Sequence, residues 1–348
     1  MNIVIDVSRM HSGNKHRGVG LYSQSLFEHL HKVDCNHSFV LKTDIDHKVS
    51  ADVIHYPFFD FFFPTLPFVK MAPTIVTIHD AIPLLYPDHY KPGIKGKFSY
   101  IQQRLSLKRV DHVITNSETS KADICEKLSI SKDRVTPIAM AANPRLSSKK
   151  LSSTPELIKS LKIDLPFFLY VGDINFNKNV PFLLTSFAAT KFDASLVIVS
   201  KAMASDIPES RHIRRIIHDL HLSNRVVIAE NIPPEPIDSL LWLYQNAVAY
   251  IQPSLYEGFG IPVLEALSCG TLVISSTGGS LKEFVNDAIF PVDPHDTQSL
   301  TSTLNQVIEL PQTQKEMLKK TAVDYASTYS WETHAKKTVS LYEQVSGI

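Results

Sequence analysis

Cysteine is scarce in this chain: Cys35, Cys125 and Cys269 are odd in number and far apart among 348 residues. Neither a disulfide framework nor the close spacing of a zinc site follows from them, so a reducing cytosol is the expected compartment. Excess charge is missing as well. The 35 basic residues balance 35 acidic ones, which argues against a nucleic-acid binder, because such a protein displaces counterions with surplus Lys and Arg. No run of 18 apolar residues occurs, so no spanning helix is expected. The most apolar window, 53–69, holds six Phe, but Pro57, Asp60, Pro64 and Pro67 interrupt it, and it reads as an aromatic loop. The opening MNIVIDVSRM lacks the basic start and long apolar core of a secretory leader, and Asp6 interrupts it. Glycine is sparse too, 12 in all, so each position carries information.

A hydrophobic fraction of 44% with 20% charged residues excludes a disordered chain. At roughly 150 residues per domain, the length corresponds to about two domains. Short β-branched or apolar runs lie at 3–7, 39–41, 53–56, 74–78, 112–115 and 135–138, then at 167–171, 196–199, 226–228, 248–251, 272–275 and 289–292. Between many of them lie helical patterns, as at 21–31, 180–190, 209–220, 236–246 and 297–310. Continuous apolar strands alternating with helices imply parallel sheets covered on both faces. The pattern runs twice, which predicts an α/β fold of two Rossmann-like, doubly wound domains, with no sequence copy between them. Residues 143–155 are polar and Ser-rich and read as a linker or as a surface loop of one large domain. The expected division is 1–145, a linker at 146–163, 164–329, and a final helix at 330–348. Ser330 is its candidate N-cap, and Trp331, Val339 and Tyr342 its buried face.

Two glycine-bearing loops precede helices, where backbone N–H groups can face an anion. The first is Lys15-His-Arg17-Gly18-Val-Gly20-Leu-Tyr-Ser23. Its distance from strand 1, about ten residues, is too long for the tight turn of a dinucleotide fingerprint. Asp44 nevertheless stands 24 residues after Gly20, where an acidic ribose ligand belongs, so a nicotinamide oxidoreductase stays open, as does an ordinary surface loop. The second is Pro253-Ser-Leu-Tyr-Glu257-Gly258-Phe259-Gly260-Ile-Pro262-Val-Leu-Glu265. Pro262 suits an early helical position, because its missing N–H would be unpaired there anyway. The N–H groups of Phe259 and Gly260 then point outward from a helix start, with Glu265 in the first turn. A carboxylate can accept two sugar hydroxyls, so two Glu flanking an anion site suit a phosphate with sugars on either side. The plainer alternative makes Glu265 a complement to the helix dipole and Glu257 a solvated loop charge.

Glu257-Gly-Phe-Gly-Ile-Pro-Val-Leu-Glu265 resembles the E-x7-E signature of the retaining nucleotide-sugar glycosyltransferases of family 4. Gly18-Val-Gly20 resembles that family's N-terminal glycine loop, and Thr77-Ile-His79-Asp80-Ala-Ile-Pro83 the loop carrying its active-site His. Ile114-Thr-Asn-Ser-Glu-Thr-Ser-Lys121 and Tyr170-Val-Gly-Asp-Ile-Asn-Phe-Asn-Lys178-Asn179 follow in the family's order. The resemblance implies a GT-B fold, two Rossmann-like domains facing across a cleft, with the last helix returning to the first domain. It implies that Lys178, Gly18, Gly20, Gly258, Phe259 and Gly260 contact the donor diphosphate and that Glu265 holds the ribose. Glu257 holds the transferred sugar, and His79 lies near sugar and acceptor; His79, Glu257 and Lys178 are the catalytic set. The usual Arg of the diphosphate loop is missing, its place read by Asp173 and Asn177, and Arg17 or Lys15 is the candidate substitute.

The implied reaction is retaining front-face transfer that needs no cofactor and no metal; Asp44-Ile-Asp46 reads as a solvated strand end. The expected donor is a GDP- or UDP-sugar, with mannose from GDP-mannose first, and the acceptor a glycan or lipid-linked glycan in polysaccharide or lipopolysaccharide O-antigen synthesis. The missing Arg keeps a non-catalytic binding protein as the alternative. The segment 91–109 carries six basic residues and no acid among Phe98, Ile101, Leu105 and Leu107. It reads as a solvated helix face or as a peripheral contact with an anionic membrane.

Overall fold

The structure, a computed structural model, describes residues 1–8, 18–45, 49–164, 166–233 and 236–347. The chain divides into two compact units, Met1–Met140 with Ser330–Ile348, and Ala141–Tyr329. All twelve apolar runs of the sequence are strands, and each unit holds one six-stranded sheet paired in parallel throughout.

The sheet of the first unit contains β1 (Asn2–Asp6), β2 (Ser38–Lys42), β3 (Val53–Tyr56), β4 (Thr74–Thr77), β5 (His112–Thr115) and β6 (Val135–Pro137). Its helices are α1 (Gly18–Leu30), α2 (Ile82–Leu85), α3 (Ile94–Leu107) and α4 (Glu118–Leu128). Every residue of β3, β4 and β5 is buried, as strands covered on both faces must be. The order β2-β1-β3-β4-β5-β6 reverses direction between β1 and β3. In doubly wound sheets the carboxyl ends of strands at such a reversal frame the binding crevice. Here β3 runs into Pro57 and the aromatic segment, and β4 into His79. Helix α1 begins at Gly18, three residues before the expected start, so Gly18 and Gly20 are first-turn residues rather than loop residues. Their N–H groups still lack intrahelical acceptors, because a first turn always leaves its donors unpaired.

The second unit holds β7 (Phe167–Val171), β8 (Ser195–Val199), β9 (Val226–Ala229), β10 (Tyr250–Gln252), β11 (Val273–Ser276) and β12 (Ile289–Val292). Its helices are α5 (Glu156–Ser160), α6 (Val180–Ala188), α7 (Pro208–Asp219), α8 (Asp238–Asn246), α9 (Ile261–Ser268), α10 (Thr297–Ile308) and α11 (Gln312–Ala326). The order β12-β11-β10-β7-β8-β9 reverses between β7 and β10, so the crevice of this sheet lies at the carboxyl ends of those two strands.

The last helix, α12 (Trp331–Ser346), belongs to the first unit. Ser330 caps it, its side chain accepting the Thr333 N–H, and Trp331, Val339 and Tyr342 are buried. Two of its polar residues enter a buried hydrogen-bonded chain. His334 Nδ1 lies 3.0 Å from the Ala139 carbonyl, which only accepts, so the proton sits on Nδ1 and Nε2 is an acceptor. The remaining directions follow. The Tyr22 hydroxyl donates to His334 Nε2 (3.2 Å), Thr77 to Tyr22 (3.3 Å), His55 Nε2 to Thr77 (2.9 Å), and Tyr342 to His55 Nδ1 (2.7 Å). Burial lowers the pKa of His55 to about 3 and that of His334 to about 4, so both are neutral at pH 7, as this sequence of donors requires. The chain joins α12 to β3, β4 and α1 and fixes Tyr22, whose ring meets His79 edge-on at 4.7 Å. Among the described residues, no helix is long and apolar enough to cross a membrane.

Candidate functional site

In the second unit, β7 leads into a short 3-10 turn, Phe176–Lys178, and β10 leads into Pro253. This strand order brings Lys178 and Glu257 together across 79 residues of sequence. Lys178 Nζ lies 2.7 and 2.9 Å from the two carboxylate oxygens of Glu257. Gln252 Nε2 (2.9 Å) and Ser254 Oγ (2.6 Å) donate to the same oxygen, Oε1. Oε1 therefore takes three donors, while Oε2 takes Lys178 and keeps accepting capacity. Glu257 is 7% exposed, so the alternative of a solvated loop charge does not hold. The Tyr250 hydroxyl donates to Gln252 Oε1, which turns the amide nitrogen toward Glu257. Gln252 and Ser254 are contributors that the sequence reading missed. Their signal is Tyr250, Gln252 and Ser254 at every second position, one polar face through an otherwise apolar strand.

Helix α9 begins beside this pair. Gly260 caps it with φ at +104°, a backbone conformation that favours glycine, and a Cβ there would stand 2.8 Å from Leu281 Cδ2 and force that side chain to shift. Pro262 lies in the first turn, as its chemistry suggests. Gly258, Phe259 and Gly260 are buried, and the Phe259 ring packs on Phe284 and Tyr329. Among the described residues, no acceptor takes the N–H of Phe259 or Gly260. Two unpaired amides at a helix N-terminus form an anion-binding edge.

Glu265 is the fifth residue of α9 and lies beyond the first turn, not in it, which also removes its reading as a dipole complement. Its carboxylate accepts the Tyr244 hydroxyl at 2.9 Å. Burial raises its pKa from 4.5 to about 7, with the Tyr244 hydrogen bond pulling the other way. Between those two values the folded chain holds a proton that the unfolded chain releases. The resulting stability is full below pH 4.5 and is lost as pH rises through 7, a loss on the order of 3 kcal/mol. Replacing Glu265 with Gln keeps an acceptor for Tyr244 and removes the poorly solvated charge. Calorimetry of Glu265→Gln is therefore expected to show a melting temperature raised by roughly 4 °C or more at pH 8 and little changed at pH 5. A variant less stable than the parent at pH 8 contradicts this. A half-buried carboxylate that weakens its own fold at neutral pH is a feature that ligand binding explains.

In the first unit, Asn116 Nδ2 donates to His79 Nδ1 at 3.0 Å, which puts the imidazole proton on Nε2. Burial lowers the His79 pKa to about 4, against opposing contributions from Asn116 and the Pro57 carbonyl, and leaves the ring neutral at pH 7. Nε2 makes no hydrogen bond of acceptable geometry among the described residues, nor does Asn116 Oδ1, although both atoms are buried. A donor and an acceptor left without partners on two hydrogen-bonded side chains call for an explanation, and sugar hydroxyls, which both donate and accept, supply one. Asn116 was legible only as part of its motif. The structure assigns it by position, one residue before Ser117, which caps α4. Asp80 Oδ1 accepts the Ile82 N–H at 2.9 Å and shapes the turn into α2. A cavity of about 450 Å³ opens here, lined by His79, Asp80, Phe58, Phe61, Phe62 and Lys91 among others.

Gly18 and Gly20 stand in α1, while Arg17, Lys15 and Asp46 lie outside the described residues. Where the family carries its Arg, Asp173 is exposed and Asn177 is a buried strut: its amide donates to the Tyr256 carbonyl at 3.0 Å, and its own carbonyl accepts the Leu255 N–H at 2.8 Å. Among the described residues, no group of three His, Cys, Asp or Glu is arranged to hold a metal ion.

Residues 17–144 match the family described as Glycosyltransferase Family 4, and residues 153–323 match Glycosyl transferases group 1. The chain is 28% identical over 272 residues to the serotype-specific mannosyltransferase WbdA of Escherichia coli, covering 75% of this chain and 32% of that protein. It therefore spans about a third of the length of that relative. Identity to O-antigen chain mannosyltransferase B of Escherichia coli is 25% over 285 residues, 79% of this chain and 71% of that one. The solved structure of Anabaena Alr3699/HepE in complex with UDP-glucose shares the fold at a TM-score of 0.75 and 16% identity, over 99% of this chain and 100% of that one. With two matched segments that together span most of the sequence, and the fold shared end to end, the chain belongs to the family 4 glycosyltransferases of GT-B fold.

Proposed function

We propose that the chain is a retaining, metal-independent hexosyltransferase that moves mannose from GDP-mannose to a hydroxyl of a growing glycan in polysaccharide or lipopolysaccharide O-antigen synthesis. The observation that carries the reading is the convergence of Lys178, Glu257 and the unpaired amides of Phe259 and Gly260 at the switch point of the second sheet. Breaking the anomeric bond puts negative charge on the departing diphosphate. Lys178 and the two amides supply fixed positive charge where it develops. When Lys178 turns to phosphate, Glu257 keeps Gln252 and Ser254 as donors, so the carboxylate is not stranded. Its Oε2 is then open to a hydroxyl of the transferred sugar. Glu265 accepts the ribose hydroxyls, and His79 donates its Nε2–H to the sugar or the acceptor. The relatives named as mannosyltransferases favour mannose, and the UDP-glucose complex of the Anabaena protein favours a nucleotide diphosphate sugar of some kind.

The test is transfer from labelled GDP-mannose to a mannan-type acceptor, with and without EDTA, and with the product's anomeric configuration read by NMR. An α-linked product from the α-linked donor, formed equally in EDTA, is expected. An inverted linkage contradicts retention, and loss of activity in EDTA contradicts metal independence. Donor binding without turnover favours the non-catalytic alternative, for which the absent arginine at Asp173 and Asn177 is the motive. The oxidoreductase alternative falls with the family assignment.

A further inference from the structure

Helix α3 is built inside out. Its buried residues are Gln103, Ser106 and Leu107, while Ile94, Phe98, Ile101 and Leu105 are 79%, 70%, 58% and 44% exposed. At about 100° per residue those four fall within about 60° of arc, one continuous stripe. An amphipathic helix of a globular unit normally turns such a stripe to the core. Lys95 stands on one side of it, and Lys97, Arg104 and Lys108 on the other, all exposed, with no acidic residue between Asp88 and Asp111.

The stripe is joined rigidly to the aromatic segment. Gln103 Oε1 accepts the N–H groups of Thr65 (3.0 Å) and Leu66 (2.9 Å) and the Thr65 hydroxyl (2.7 Å). Gly96 packs against Phe62, from whose Cβ an added Cβ would stand 3.4 Å, and glycine is needed there because the same Cβ would come within 2.9 Å of the Pro92 Cβ. Arg109 stacks over the Phe68 ring at 4.5 Å and donates to the Phe68 carbonyl. Phe63, Phe68 and Val69 are themselves exposed. The aromatic segment therefore packs against the face of α3 opposite the stripe, and the stripe stays outward with cations on both sides of it. Phe62 and Lys91 line the cavity that holds His79.

We propose that the outward stripe of α3 and its flanking cations dock the first unit on an anionic lipid surface and so present the His79 cavity to the glycan end of a lipid-linked acceptor. Exposed apolar side chains flanked by Lys and Arg fit that partner: the stripe enters the headgroup boundary while the cations meet anionic headgroups. A soluble acidic partner would be served by the cations alone and leaves the stripe unexplained. The acceptor half of the inference rests on the proposed sugar transfer; the docking half does not.

Flotation of the full chain with phosphatidylcholine vesicles, with and without phosphatidylglycerol, tests it. The chain is expected to float with the anionic vesicles alone, and added salt is expected to release it. Phe98→Asp with Ile101→Asp, and separately Lys95→Glu with Lys97→Glu, are expected to lower vesicle partitioning on the order of tenfold or more. Both variants are expected to keep the rise in melting temperature that a nucleotide sugar produces. Absent flotation, or flotation unchanged in both variants, overturns the docking. So does a dimer in solution that Phe98→Asp dissociates while no variant floats, because the stripe then belongs to a second copy of the chain. Flotation that persists while no nucleotide sugar shifts the melting temperature supports docking and removes the sugar-transfer reading instead.

Discussion

Sugar transfer is expected to fall by about 1,000-fold when Lys178 is replaced by Ala, the scale seen when a fixed stabiliser of developing charge is lost. The side chain acts twice. It faces the departing diphosphate during the reaction, and in the resting protein it neutralises Glu257, which is buried. Removing one partner of a buried pair typically costs about 3–5 kcal/mol, because the remaining charge has no counterion. Here Gln252 and Ser254 still donate to the carboxylate, so the low end of that range is expected. The two roles separate in a double variant. Lys178→Met with Glu257→Gln leaves no buried charge and is expected to recover most of the melting temperature while transfer stays near zero. Recovered transfer in the double variant, or full transfer in Lys178→Ala, removes Lys178 from the chemistry.

Replacing His79 with Ala is expected to lower kcat by about 100-fold, through loss of one aimed donor, and to leave donor binding nearly unchanged. Steady-state kinetics read the first effect, and the nucleotide-sugar shift in melting temperature reads the second. The wild-type pH profile carries a further signature. Burial lowers the His79 pKa to about 4, so no inflection from this ring is expected between pH 5.5 and 8. A donor that stays neutral does not titrate there. An inflection near 6.5 that vanishes in His79→Ala contradicts a permanently neutral imidazole and favours acid–base work.

The fold was legible because its strands are buried on both faces and so read as short apolar runs with no alternation to obscure them. Helix ends were legible where a side chain marks them, as Ser330 does for α12. They were obscure where glycines start a helix: Gly18 and Gly20 look like loop residues and are the first turn of α1. The residue types of the site were legible in Glu257, Glu265, Lys178 and His79. Their partners were not. The pairing of Lys178 with Glu257 depends on β7 lying beside β10, a long-range fact that no local period records. The same holds for Tyr22, His55 and His334, which read as ordinary core or surface residues until α12 brings them into one hydrogen-bonded chain. The basic character of 91–109 was plain in the sequence. That its apolar stripe faces outward was not, because periodicity gives a face without saying which way it points.

Titration calorimetry with GDP-mannose and UDP-glucose, on the wild-type chain and on Lys178→Ala, measures most directly whether Lys178, Glu257 and the start of α9 hold a nucleotide diphosphate sugar. One of the two ligands is expected to bind the wild-type chain and to bind Lys178→Ala at least about tenfold more weakly, the loss of a charge-assisted contact. Binding of neither, or equal binding to both proteins, contradicts it.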